Sequence, residues 1–332
     1  MLSTPFSGRR LRKLWLALPG LLAGAGAAHA QAVPNPGENI QFVITFGPKA
    51  DPAWGDDDFT QTFFFLVPQG QRQPVYLRVF DPDCGGTLDS QKGPFDTKTT
   101  FSIYGGQGAH SGDGARDPRP TLKPKPVTGR LLQEKTFGND PQYDGTYYTF
   151  GPLNPLEGEL VDEFKGYVFK VVARGTAGND GNVYRYYFST SPTTSQPVPG
   201  GNAFTYEYCF RMPPALKQST VHLYPFVNDK VVSIKQSNYD IDGTAKLTVF
   251  SVAKNGHPAT ASGDKQWASS VLPITDKERG LSLDMRLTTT SKTPNDMQFY
   301  VTDQYDTALP FFAIPLGGPP RYKYDIDMKI HR

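Results

Sequence analysis

The chain has 332 residues, with 34 Lys and Arg against 32 Asp and Glu and a formal net charge of +2. So even a balance gives no electrostatic basis for holding nucleic acid, which is excluded as a partner. The 33 Gly, 30 Pro and 13% aromatic residues are high for a helical protein and natural to strands joined by turns.

The chain opens on a basic stretch, Arg9, Arg10, Arg12 and Lys13, followed over residues 14–25 by a short apolar run broken at Pro19-Gly20. Ala28-His29-Ala30 then places small residues at a cleavage position before Gln31. This is the layout of a secretory signal peptide over residues 1–30. The apolar run is too short and Gly-rich for a stable membrane span, so a transmembrane protein is not expected. Without the signal, 302 residues remain with 30 basic and 32 acidic side chains, a net of −2. Export points to the periplasm or the exterior.

From there the chain reads as a row of strands, alternating or densely apolar. They are expected at 40–46, 60–67, 75–80, 99–104, 147–150, 167–173, 183–189 and 204–210. Residues 105–126 and 190–203, rich in Gly, Pro and polar side chains, read as long exposed loops, with His110 solvated in the first. Residues 156–169 allow a helical turn or two at most. Met212-Pro213-Pro214 marks a boundary, after which strands resume at 220–227, 231–236, 245–252, 281–288, 297–302 and 309–315. The expected architecture is all-β: a sandwich domain over 31–213 and a second over 214–332.

Cys84 and Cys209 are the two cysteines. An even pair in an exported protein predicts a disulfide between them. Cys84 lies in the sharpest local feature, Asp81-Pro82-Asp83-Cys84-Gly85-Gly86-Thr87-Leu88-Asp89, directly after a strand. Carboxylates at Asp81, Asp83 and Asp89 on a turn-permitting loop are hard oxygen ligands of the kind calcium takes. Asp57 and Asp58, before a neighbouring strand, are possible further ligands. The spacing is not that of an EF-hand, and a solvated acidic turn also explains these residues. Asn179-Asp180-Gly181-Asn182 reads as a plain hairpin turn.

The aromatic strand beginning at Phe63, then Val67-Pro68-x-Gly70, a second strand and the Asp-rich end at Asp89 resemble the pre-peptidase C-terminal type of exported β-sandwich module, over about residues 40–105. The resemblance implies an accessory module, often calcium-associated. The chain departs from it in a much longer tail of strands and the absence of a peptidase domain.

No catalytic constellation is read. His110, His222, His257 and His331 stand at no metal-like spacing, and HExxH, GxSxG and phosphate-loop patterns are absent. Trp54 and Trp267 are the candidates for stacking on a ligand, the alternative being ordinary packing. The expected function is non-enzymatic binding or scaffolding at the cell envelope, toward an unidentified protein or glycan. A carbohydrate-binding or glycoside-processing protein is the alternative. A subunit of a larger surface assembly, joined through exposed strand edges, is a third class. Intact-mass measurement of the exported protein should place its first residue at Gln31; a product retaining residues 1–30 would remove the argument for export.

Overall fold

The computed structural model describes residues 32–56, 59–119, 127–215, 218–241, 245–292 and 295–317. The fold is all-β and antiparallel. The first half contributes β1 (Ala32–Val33), β2 (Phe42–Phe46), β3 (Thr60–Pro68), β4 (Val75–Phe80), β5 (Lys98–Gly105) and β6 (Arg130–Phe137). It continues with β7 (Tyr147–Leu153), β8 (Glu159–Val161), β9 (Gly166–Ala177), β10 (Gly181–Ser189), β11 (Asn202–Thr205) and β12 (Glu207–Met212). The second half contributes β13 (Ser219–Leu223), β14 (Phe226–Val227), β15 (Ser233–Tyr239), β16 (Lys246–Phe250) and β17 (His257–Ala259). It ends with β18 (Trp267–Pro273), β19 (Leu281–Ser282), β20 (Asp284–Thr289), β21 (Asn295–Asp303) and β22 (Phe311–Phe312). Helical structure among the described residues is confined to single 3-10 turns, two of them at Pro155–Glu157 and Asp162–Phe164.

Two large sheets face one another. One runs β18-β15-β21-β12-β2-β10-β4-β7, with β1 beside β10. The other runs β22-β11-β3-β9-β5-β6, with β8 beside β9. Alternation aims Phe63, Phe65 and Val67 of β3 and Phe101 and Ile103 of β5 into the space between them. From the opposite sheet come Tyr184, Tyr186 and Phe188 of β10, with Tyr208 and Phe210 of β12. The rings interlock across the gap: Phe65 stacks on Phe188 at 5.1 Å, while Phe101 meets Tyr184 edge-on at 4.9 Å and Phe63 meets Tyr208 at 5.4 Å. Burial of each such ring is worth about 1.5–3 kcal/mol by transfer, and a well-angled pair adds roughly 0.5–1.5 kcal/mol.

The expected boundary at Met212-Pro213-Pro214 falls at the end of β12, which bonds to β2 on one side and to β21 on the other. Strands from both halves therefore share one sheet. A four-stranded sheet, β13-β20-β16-β17, is built wholly from the second half. Its Val221, Leu223, Leu247, Val249, Met285 and Leu287 belong to the same continuous core as Ile234, Met297 and Phe299 of the large sheet.

One buried acid tests this packing. Glu38 closes a 3-10 turn at Pro36–Glu38 and is almost wholly buried. Its Oε2 accepts from the Asn35 N–H at 2.6 Å and from the Tyr208 hydroxyl at 3.1 Å. Burial raises its pKa to about 8, outweighing those two donors. The folded state thus holds a proton that the unfolded chain releases above about pH 4.5, and Glu38 costs stability as pH rises from there toward 8. Glu38→Gln should make the fall in stability across that window shallower by about one proton's worth, read as chemical-denaturation free energy against pH; an unchanged slope would contradict the assignment.

Candidate functional site

The turn after β4 packs against the loop between β6 and β7. Asp81 has φ +58 and is fully buried. Its N–H donates to the Thr146 carbonyl at 2.8 Å, and its Oδ1 accepts from the Gly145 N–H at 2.7 Å. Asp83, also buried, accepts from the Asp140 N–H through Oδ2 at 3.2 Å. The second carboxylate oxygens, Asp81 Oδ2 and Asp83 Oδ1, are buried with no hydrogen-bond partner among the described residues. Burial raises both pKa values to about 6, and the charge of Asp144 adds to both. Asp144, exposed on the β6–β7 loop, holds its carboxylate over Gly86, where any Cβ would collide with it. Gly86 itself stands at φ +69, a conformation that favours glycine.

Asp89 has a different task. Its Oδ1 accepts from Val183 N–H and its Oδ2 from Gly85 N–H, each at 2.7 Å, so both oxygens are spent on backbone. Burial nevertheless pushes its pKa to about 8. Asp180, expected as a plain hairpin residue, is fully buried and accepts from the N–H groups of Lys92, Asp96 and Thr97 at 2.8–3.2 Å, which clamps the loop before β5. Asp57 and Asp58 lie outside the described residues. Among the described residues no three His, Cys, Asp or Glu side chains converge as a ready-made metal site. Asp144 was missed in the sequence because it lies 61 positions beyond Asp83 in a loop with no metal-like spacing of its own.

The expected disulfide is corrected. Cys84 and Cys209 are both buried free thiols. Cys84 is anchored by its N–H to the Gly138 carbonyl at 3.0 Å, inside the acidic turn. Cys209 lies on β12 among Ile44, Phe46 and Val183, its sulfur 3.6 Å from the Gly55 carbonyl oxygen. An even cysteine count carries no information on which direction each strand position faces. Burial, then the charges of Asp89, Asp180, Asp83 and Asp81, push the Cys84 thiol far above its usual range. Trp54 packs on Phe46 and lies under the Lys92 ammonium at 4.3 Å. Trp267 sits between Tyr239 and Tyr300, at 5.1 and 5.3 Å.

A second site lies on the outer face of the seven-stranded sheet. Phe64, Phe204, Tyr206 and Phe312 form an aromatic layer there, and residues 106–118 fold across it. His110 is buried, not solvated as the loop composition implied. Its Nε2 meets the Tyr206 hydroxyl at 2.8 Å, and its ring lies edge-on to Phe64 at 5.4 Å. Burial lowers its pKa to about 4, with the Arg116 charge adding, so the ring is neutral. Glu159 ties the loop down, accepting from His110 N–H, Ser111 N–H and the Ser111 hydroxyl. Beside it, a cleft of about 40 Å³ is lined by Thr60, Thr62, Arg116, Lys170, Arg174 and Tyr206 among others. Register explains the lining: Thr60 pairs with Arg174, and Thr100 flanks Arg174 from the other side; Thr62 and Ser102 flank Val172 likewise. Lys170 donates to the Thr128 hydroxyl at 3.0 Å, and burial lowers its pKa to about 8 against the pull of Glu159. Arg174 makes no ion pair among the described residues.

No protein-family model matches the chain, and no curated protein matches it. Alkylation of the denatured, unreduced protein should label two thiols per chain, with neither accessible in the native state. Absence of label in the denatured protein would restore the bridge.

Proposed function

We propose that this chain is an exported, non-enzymatic binding protein of the cell envelope. Its ligand surface is the outer face of the seven-stranded sheet beneath residues 106–118, and it holds an anionic group carried by a protein or glycan. Export rests on the signal-like layout of residues 1–30. One observation carries the rest: Lys170 and Arg174, at alternate positions of β9, line a cleft that also receives Arg116, beside the hydroxyls of Thr60 and Thr62 on β3. Guanidinium groups set among hydroxyls recognise carboxylate, sulfate or phosphate oxygens through forked hydrogen bonds. Asp117 and Glu207 also line the cleft, but Asp117 is paired with Arg119 at 2.8 Å and Glu207 accepts from Gln298 at 3.0 Å. Lys170 is buried and spends its ammonium on Thr128, so Arg174 is the principal cation left to face a ligand.

The same hydroxyl-lined face favours a second reading, a carbohydrate-binding or glycoside-processing protein. The two differ in the charge of the ligand. Titration with a uronate polysaccharide, an acidic peptide and neutral dextran separates them. Binding of an acidic probe should weaken with salt and fall at least tenfold in Arg174→Glu. Binding of dextran alone, indifferent to that substitution, or release of reducing sugar, would favour the second reading.

A further inference from the structure

The acidic turn calls for a partner that none of the described residues supplies. Asp81 and Asp83 each commit one carboxylate oxygen to a backbone N–H of the β6–β7 loop, Gly145 and Asp140 respectively. Each keeps a second oxygen that is buried and without a donor. An acceptor taken from water and given nothing in exchange is costly, and a charged one more so. We propose that these two oxygens, Asp81 Oδ2 and Asp83 Oδ1, with the Asp144 carboxylate, bind one divalent cation of the calcium class.

Four features favour this ion over other remedies. Arg185 lays its guanidinium over the rings of Phe80 and Phe42 at 4.5 and 4.9 Å and makes no hydrogen bond to either free oxygen. Asp144 comes from the same β6–β7 loop that already grips Asp81 and Asp83, and stands exposed at the turn, free to swing onto an ion. Asn139 brings an amide oxygen to the side of Gly85 where Asp83 Oδ2, held by Asp140, lies, a neutral ligand of the hard type close to the turn. The side chains that offer free or nearby donors here are all oxygen ligands, which suits calcium and not zinc. The side chains do not yet surround a common centre; carbonyls and water would complete the six to eight oxygens that calcium takes. The ligand set differs from the one the sequence points to: Asp89 leaves it and Asp144 enters. The proposal is independent of the cleft beneath residues 106–118.

The test is calorimetric titration of calcium chloride into the mature, chelator-treated protein, with thermal melts in calcium and in chelator. The expected result is one calcium per chain, a melting temperature several degrees higher in millimolar calcium, and a smaller gain with magnesium. Asp83→Asn should abolish binding. Asp144→Asn, at an exposed position, should weaken it at least tenfold, while Asp113→Asn, exposed on the loop after β5, should leave it unchanged. Coincident melts with no binding heat would overturn the proposal. So would calcium affinity undiminished in Asp144→Asn, which decides the matter even where Asp83→Asn fails to fold.

Discussion

A carboxylate withdrawn from water must be met by donors, by a proton or by a cation, and this requirement organises much of the molecule. Asp180 takes three backbone N–H groups and so fixes the loop before β5. Glu159 takes the N–H groups of His110 and Ser111 with a hydroxyl, and so fixes the loop over the outer sheet face. Glu278 takes the Lys254 ammonium at 2.7 Å. Glu38 keeps its proton. Asp81 and Asp83 are answered on one oxygen each and unanswered on the other. The two loops that Asp180 and Glu159 hold are unrelated in sequence, yet one rule places both.

The second constraint is that β3 and β9 are apolar on both faces. Phe63 and Phe65 fill the space between the sheets, while Phe64 and Val168 turn outward. That outward layer needs a cover, and residues 106–118 provide it, with His110 as a neutral ring among the aromatics. The cover ends where β9 turns polar, and the cleft opens there. The packed layer and the half-buried Arg174 are two ends of the same strand.

Strands with a dense apolar or alternating pattern were legible from the sequence. Val75–Phe80 stands where expected, and Thr60–Pro68 and Gly181–Ser189 differ by a residue or two. The edge strand Tyr147–Leu153 was partly read too, but two other edge strands were not. Arg130–Phe137 alternates little and exposes Leu131, because only one neighbour and half a face constrain it; Trp267–Pro273, another edge, was missed for the same reason. Pro225 divides the strand expected at 220–227, since a proline cannot donate to a ladder. At the acidic turn, Asp81 and Asp83 were visible as a cluster, but the roles of its members were not. Asp89 spends both oxygens on Val183 and Gly85, and Asp144 reaches the turn from the β6–β7 loop, and both are settled by tertiary contact. His110 looked solvated because the glycines and charges around it hide a fold-back that depends on Glu159, 49 positions later.

The central claim is that the unanswered oxygens of Asp81 and Asp83 face an ion. Anomalous diffraction from crystals grown with calcium tests it most directly. The result expected is a single peak between Asp81 Oδ2 and Asp83 Oδ1, with Asp144 turned onto it and oxygen distances of about 2.3–2.6 Å. A water molecule or empty density at that point, in crystals whose calcium is bound elsewhere or not at all, would contradict it.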